Sequence, residues 1–318
     1  MQPVFIIAAA VIGIILGQIA FFSDHMGGMI QPFLMLLLFF IFLKIDIKEI
    51  VHSFRNVRFS STAVLINFVW TPIFAVLLGY AFLGGSRDLM IGFLMLLVTP
   101  CTDWFMVFTG MSKGNLSLSA SILPLNLVLQ VFLLPFYLFI FFGTGSSFDM
   151  GSILLSIVLV LAVPFIAANL IKIAIKALGK KNALDKNMDK HGDNIQLFFL
   201  CLAVFAMFAP NGDMIINDPA ILLQMLVPLL IFFTLNFAIS RFVGKALGFS
   251  FDDTTSLTFT VMARNSPLAL AIAVAAFPAS PLIALALVVG PLIELPVLSL
   301  ASAAVLKMRD KGKNISSV

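Results

Sequence analysis

Charge is scarce in this chain. Only 11% of its 318 residues are Asp, Glu, Lys or Arg, against about 25% in soluble domains, so an ordinary water-soluble fold is excluded. Cysteine is scarce too: Cys101 and Cys201 both lie in apolar stretches, which excludes a disulfide framework. The three histidines, His25, His52 and His191, sit in polar connections far apart in sequence. No apolar stretch carries an Asp pair or a Ser/His arrangement. Neither an enzyme nor a metal site or cofactor is therefore expected. No basic stripe is interleaved with exposed aromatics, which removes nucleic acid as a partner. The first apolar stretch follows Gln2-Pro3 rather than a basic segment, and no small-residue cleavage site comes after it. It is expected to be a retained span, not a signal peptide.

What remains is apolar sequence, 61% of the chain. Windows of about 20 apolar residues place spans near 3–22, 28–44, 59–83, 88–111, 115–143, 150–176, 194–209, 219–247, 253–278 and 281–306. The expected fold is an all-α polytopic membrane protein of ten transmembrane helices. Basic residues mark cytoplasmic loops. With a cytoplasmic N-terminus, all but Arg87 and Arg264 of the 19 Lys and Arg residues fall on that side. An even span count with both termini cytoplasmic follows, in a cell membrane of the bacterial inner-membrane kind. The polar stretch 179–194 reads as a cytoplasmic linker.

Two spans are interrupted by polar sequence at matching places: Pro100-Cys101-Thr102-Asp103 in the fourth and Arg264-Asn265-Ser266-Pro267 in the ninth. A division near residue 146 leaves five spans per half, an odd number, so the second half enters the membrane from the opposite side. The expected architecture is two inverted five-helix repeats, 1–146 and 147–318, with broken, crossing fourth and ninth helices and a single transporter domain over 1–318. Paired broken helices in inverted repeats place a site near the bilayer midplane, where half-helix N-termini favour an anionic or strongly polar ligand.

Ionisable residues inside spans cost about 2.5–3.5 kcal/mol on insertion scales and mark function by default. Three lie well within spans, away from their ends: Asp103, Arg264 and Glu294. Arg264 suits oxyanion recognition or a structural pair with one of the acids. Asp103 and Glu294 are candidates for a coupling proton or for holding Arg264 and free backbone donors. Cys101 is a soft ligand or a small apolar residue. Thr102, Asn265 and Ser266 occupy the breaks, and Asn126 lies on the helix after the first of them. Asn67, Gln130, Asn236 and Thr260 are polar in spans too, where such side chains commonly bridge helices.

At these residues the chain resembles the bile acid/sodium symporter superfamily, which includes arsenite-efflux permeases. Pro100-Cys101-Thr102 with the later Lys113-Gly114 is similar to the arsenite permeases' fourth span. Leu268 to Ala275, Val288-Val289-Gly290-Pro291-Leu292-Ile293-Glu294 and Pro296-Val297-Leu298 are similar to their last two spans. Met262-Ala263-Arg264-Asn265-Ser266 resembles the bile acid symporters' interrupted ninth span. Where sodium-coupled members carry a Glu and, four residues on, a Gln, this chain has Thr260 and Arg264. Where they have Ser-Asn in the fourth span, it has Phe105-Met106. Where arsenite permeases carry a Glu two residues after the Asn of the second break, it has Pro267.

The expected function is secondary transport of a small anion or oxyanion by alternating access, with a proton rather than sodium as coupling ion. The alternatives are arsenite efflux through Cys101 and sodium-coupled symport of a bile acid-like organic anion. The expected partners are a small anion or metalloid and the lipid bilayer.

Overall fold

The computed structural model describes residues 2–44, 56–101, 104–143, 150–179, 181–217 and 220–316. Over them the chain is helical: α1 (Gln2–Leu16), α2 (Ala20–His25), α3 (Ile30–Lys44), α4 (Val57–Leu83), α5 (Arg87–Leu97), α6 (Trp104–Met111), α7 (Leu116–Phe142), α8 (Met150–Ala177), α9 (Lys181–Asn217), α10 (Ala220–Ala246), α11 (Phe251–Met262), α12 (Ser266–Ala276) and α13 (Pro281–Ser316). Among the described residues four helices are long and apolar enough to cross a membrane, or six if each of two bent pairs is one span. Over these residues the expected ten spans are not confirmed. The fourth and ninth expected spans are each cut into half-helices of 8 to 12 residues, too short to cross about 30 Å of hydrocarbon alone. The stretch 179–194, expected to be a linker, is mostly helical, because α9 begins at Lys181. Its Lys, Asp and Asn residues contain no proline that would stop a helix.

The chain forms two compact units, each assembled from both halves of the sequence. One comprises Met1–Asp46, Leu138–Leu223 and Pro267–Val289, the other Ile47–Tyr137, Gln224–Ser266 and Gly290–Val318. In the first unit α1 lies against α9 at small residues. A Cβ on Gly13 would stand 2.8 Å from the Phe205 carbonyl, and one on Gly17 2.1 Å from that of Ala209. Phe40 stacks on Phe199 at 5.5 Å and Phe42 meets Phe165 edge-on at 5.4 Å, tying α3 to α9 and to α8. Lys172 reaches back to donate to the Phe42 carbonyl at the end of α3 (2.7 Å). Because the clash at Gly17 is with backbone, Gly17→Ala should lower stability by about 1–3 kcal/mol, read as an earlier thermal transition of the purified protein. An unchanged transition would contradict this packing.

The second unit contains the first interruption and the second as far as Ser266. Its first helix, α4, carries a π-turn at Ile66–Trp70, closed by Thr71 N–H donating to the Ile66 carbonyl. Pro72 explains it: with no N–H to give, it leaves the Phe68 carbonyl without its usual donor. The Tyr137 hydroxyl on α7 donates to that carbonyl instead, at 2.6 Å. At one end of the unit three expected cytoplasmic segments meet. The turn at Lys113 has φ 58°, and Asn115 N–H donates to the Asp252 carbonyl (3.2 Å). Asn115 Nδ2 donates to Asp253 Oδ1 (2.8 Å). Arg309 donates to the Lys113 carbonyl (2.6 Å) and pairs with Asp252.

Candidate transport site

A helix that ends inside an apolar core leaves its last four carbonyls without donors, and each must find one. Two helices end this way in the second unit, and their carbonyls account for most of the site. On α5, Leu94 O accepts from Val98 N–H (2.9 Å). Met95 O and Leu96 O accept from the Thr99 hydroxyl (2.8 and 3.1 Å), and Leu97 O from Arg264 Nη1 (2.7 Å). On α11, Phe259 O accepts from Ala263 N–H (3.0 Å) and Thr260 O from Asn67 Nδ2 (3.3 Å). Met262 O accepts from Arg264 Nε (3.2 Å), and Val261 O from Arg264 Nη2. Beyond the helix ends the two breaks run antiparallel, Pro100 opposite Arg264. Cys101 N–H donates to Ala263 O (3.0 Å) and Asn265 N–H to Thr99 O (2.7 Å).

Arg264 is therefore the cap shared by two helix C-termini, where a cation is favoured by the helix dipoles. It also donates to Asn67 Oδ1 (3.2 Å), a side chain presented by the π-turn, and its guanidinium carbon lies 5.0 Å from the centre of the Phe232 ring. It is 1% exposed. Its backbone N–H donates to Glu294 Oε1 at 2.8 Å. Among the described residues Arg264 and Glu294 are the only buried charged side chains. The crossing thus holds its own cation and its own carboxyl, and both are engaged with protein groups.

Cys101 is buried, and its sulfur accepts the Trp104 N–H at the start of α6 (3.2 Å). Asn265 and Ser266 are buried at the second break, and Ser266 Oγ would lie 3.1 Å from a Cβ on Gly290. Pro100 forms the bridge with Arg264, while Pro267 is the second residue of α12. Asn126 is fully buried on α7. Thr102 and Asp103 lie outside the described residues. The structure adds Asn67, Thr99 and Phe232 to the crossing. Nothing in the sequence marked Thr99 or Phe232, and Asn67 stood out only as a polar residue in a span.

A set of broken, mutually capped helices in an apolar helical chain defines a membrane transporter core. Sequence comparison makes the class particular. The profile of the Sodium Bile acid symporter family matches residues 31–218, and the chain belongs to that family. It is 25% identical over 315 residues to the arsenical-resistance protein Acr3 of Corynebacterium glutamicum, covering 93% of this chain and 85% of the relative. It is 23% identical to an Acr3 of Alkaliphilus metalliredigens (83% and 77% covered) and 23% identical to an uncharacterized transporter of Synechocystis (81% and 73%).

Proposed function

We propose that this protein exports arsenite, carried as uncharged arsenous acid, by alternating access and without sodium. One observation carries the reading: the crossing's only described cation, Arg264, spends its donors on Leu97, Val261, Met262 and Asn67. Four of its five N–H groups are committed this way, which leaves one to offer an anion. Four oxygens that would suit a small cation already face it. The similarity to two proteins named for arsenical resistance supports the metalloid over the bile acid-like anion.

In this reading Cys101 offers arsenic a soft, polarisable contact, and Glu294 carries a coupling proton, with Asp103 as a further acid at the first break. The chain's halves, 1–146 and 147–318, are inverted repeats. In support, each half supplies segments to both compact units. The seat is the bacterial inner membrane, with both termini cytoplasmic.

Everted membrane vesicles carrying the full chain should take up arsenite saturably in sodium-free medium. Vesicles that accumulate an organic or inorganic anion and show no saturable arsenite uptake would overturn the reading. Cys101→Ser keeps an acceptor for Trp104 N–H but removes the soft sulfur. It should cut arsenite flux at least tenfold, about 1.4 kcal/mol, with little change in melting temperature. Full flux in that variant would remove the thiol from the mechanism.

A further inference from the structure

Buried polar groups are almost always hydrogen-bonded, and exceptions call for an explanation. The second unit contains several. Both amide atoms of Asn126, Gln130 and Asn236, and the hydroxyls of Thr260 and Ser266, are buried without a partner in the protein. Asn126, Gln130 and Asn236 are each 0% exposed. An unpaired buried amide costs about 1–3 kcal/mol, so several in one unit are not packing accidents.

Their placement is ordered. On α7, Ser119, Asn126, Gln130 and Tyr137 fall within about 20° of one line along the helix at 3.6 residues per turn. The two ends of that line are fixed: Ser119 Oγ donates to Thr109 Oγ1 on α6 (3.4 Å), and Tyr137 donates to Phe68 at the π-turn. Asn126 and Gln130 lie between these inward contacts. The α6–α7 hairpin also pairs Thr109 with Ser119, so Asn126, two turns further along α7, comes near the described start of α6 at Trp104.

On α10, Phe232, Asn236 and Ser240 share a face at successive four-residue steps. Phe232 lies against Arg264, and Ser240 Oγ donates to Thr258 Oγ1 (3.0 Å). Asn236 between them comes level with Met262, the last residue of α11. Two separate hairpins therefore bring neutral amides, with no partner of their own, to the level where the half-helices cross.

We propose that Asn126, Gln130 and Asn236, with Thr260, form the surface that binds the transported solute, and that they recognise an uncharged molecule with several hydroxyl groups. This rests on the arsenite reading and specifies how the site would select its substrate. A primary amide donates and accepts at once, which suits an O–H that does the same. With four of the five Arg264 N–H groups committed at the crossing, the neutral amides favour an uncharged ligand over an ionised one.

The test uses the full-length protein with Asn126→Leu and Asn236→Leu, substitutions of similar volume that remove the amide. Each should melt at the same or a higher temperature, because an unpaired polar group has been removed. Each should also raise the KM for arsenite about tenfold. Thermal stabilisation of purified protein by arsenous, antimonous and boric acids gives a second readout, expected in wild type and lost in both variants. If wild type transports arsenite and the variants keep its KM, the amides hold only water and this proposal fails while the arsenite reading stands. If wild type lacks arsenite flux but the uncharged acids stabilise it in an amide-dependent way, the reading fails and the binding surface stands. Stabilisation of wild type by none of the three acids would overturn the proposal.

Discussion

Arg264→Ala should not accumulate as a folded protein. The substitution takes the donors from Leu97 O, Val261 O, Met262 O and Asn67 Oδ1, all inside the second unit. Hydrogen bonds to a charged group contribute about 1.5–3 kcal/mol each, and a stranded buried acceptor costs a similar amount. The summed loss is on the order of a typical domain's whole stability, about 5–15 kcal/mol. Arg264→Lys should fail nearly as completely, since an ammonium on a single stem cannot reach two helix ends and a π-turn in the geometry of the guanidinium fork. Size-exclusion profiles of detergent extracts and the amount of protein in the membrane measure this directly. A residue that served chiefly to bind an anion would behave otherwise: its alanine variant would fold normally and lose only affinity.

Glu294→Gln should fold and yet lose concentrative transport. The glutamine oxygen can accept the Arg264 N–H as Glu294 Oε1 does at 2.8 Å, so the crossing keeps its hydrogen bond and its packing. What disappears is the buried carboxyl that can gain and release a proton. If that proton couples arsenite movement to the pH gradient, everted vesicles of the variant should equilibrate arsenite without accumulating it against a gradient. Arsenite exchange across unenergised membranes should persist. Accumulation equal to wild type would exclude Glu294 as the coupling group and leave Asp103, at the first break, as the next candidate. Loss of both exchange and accumulation, with folding intact, would instead assign Glu294 to binding.

The interruptions were legible in sequence because Pro100 and Arg264 are costly in an apolar helix, and α5 and α11 do end beside them, at Leu97 and Met262. The fate of Arg264 was not legible. Its partners Leu97 and Asn67 lie 167 and 197 residues away in sequence, and local sequence does not record which carbonyls a side chain will cap. A charged residue in a span carries the same letters whether it faces solute or closes a helix end.

Asn236 and Gln130 could not be separated from ordinary bridging residues for a related reason. A bridging amide and an unpaired one differ only in what stands opposite, and that depends on the register of α10 against α11 and of α7 against α6. The helix at Lys181–Asn217 was obscured by composition, since a run of Lys, Asp and Asn reads as solvated connection although nothing in it forbids helical backbone. The first apolar window, expected to run to residue 22, stops at Leu16, where Gly17 packs against Ala209 and the chain bends by 111° into the next helix.

In the proposed mode of recognition, Arg264 and Glu294 are engaged with protein groups at the crossing and neutral polar groups meet the solute. Competition for arsenite flux in everted vesicles at neutral pH, in sodium-free medium, tests it most directly. Uncharged antimonous acid should inhibit arsenite uptake competitively, while sulfate, phosphate and taurocholate in large excess should leave it unchanged. Strong inhibition by those anions, with antimonous acid without effect, would show that the site reads negative charge and would contradict the account.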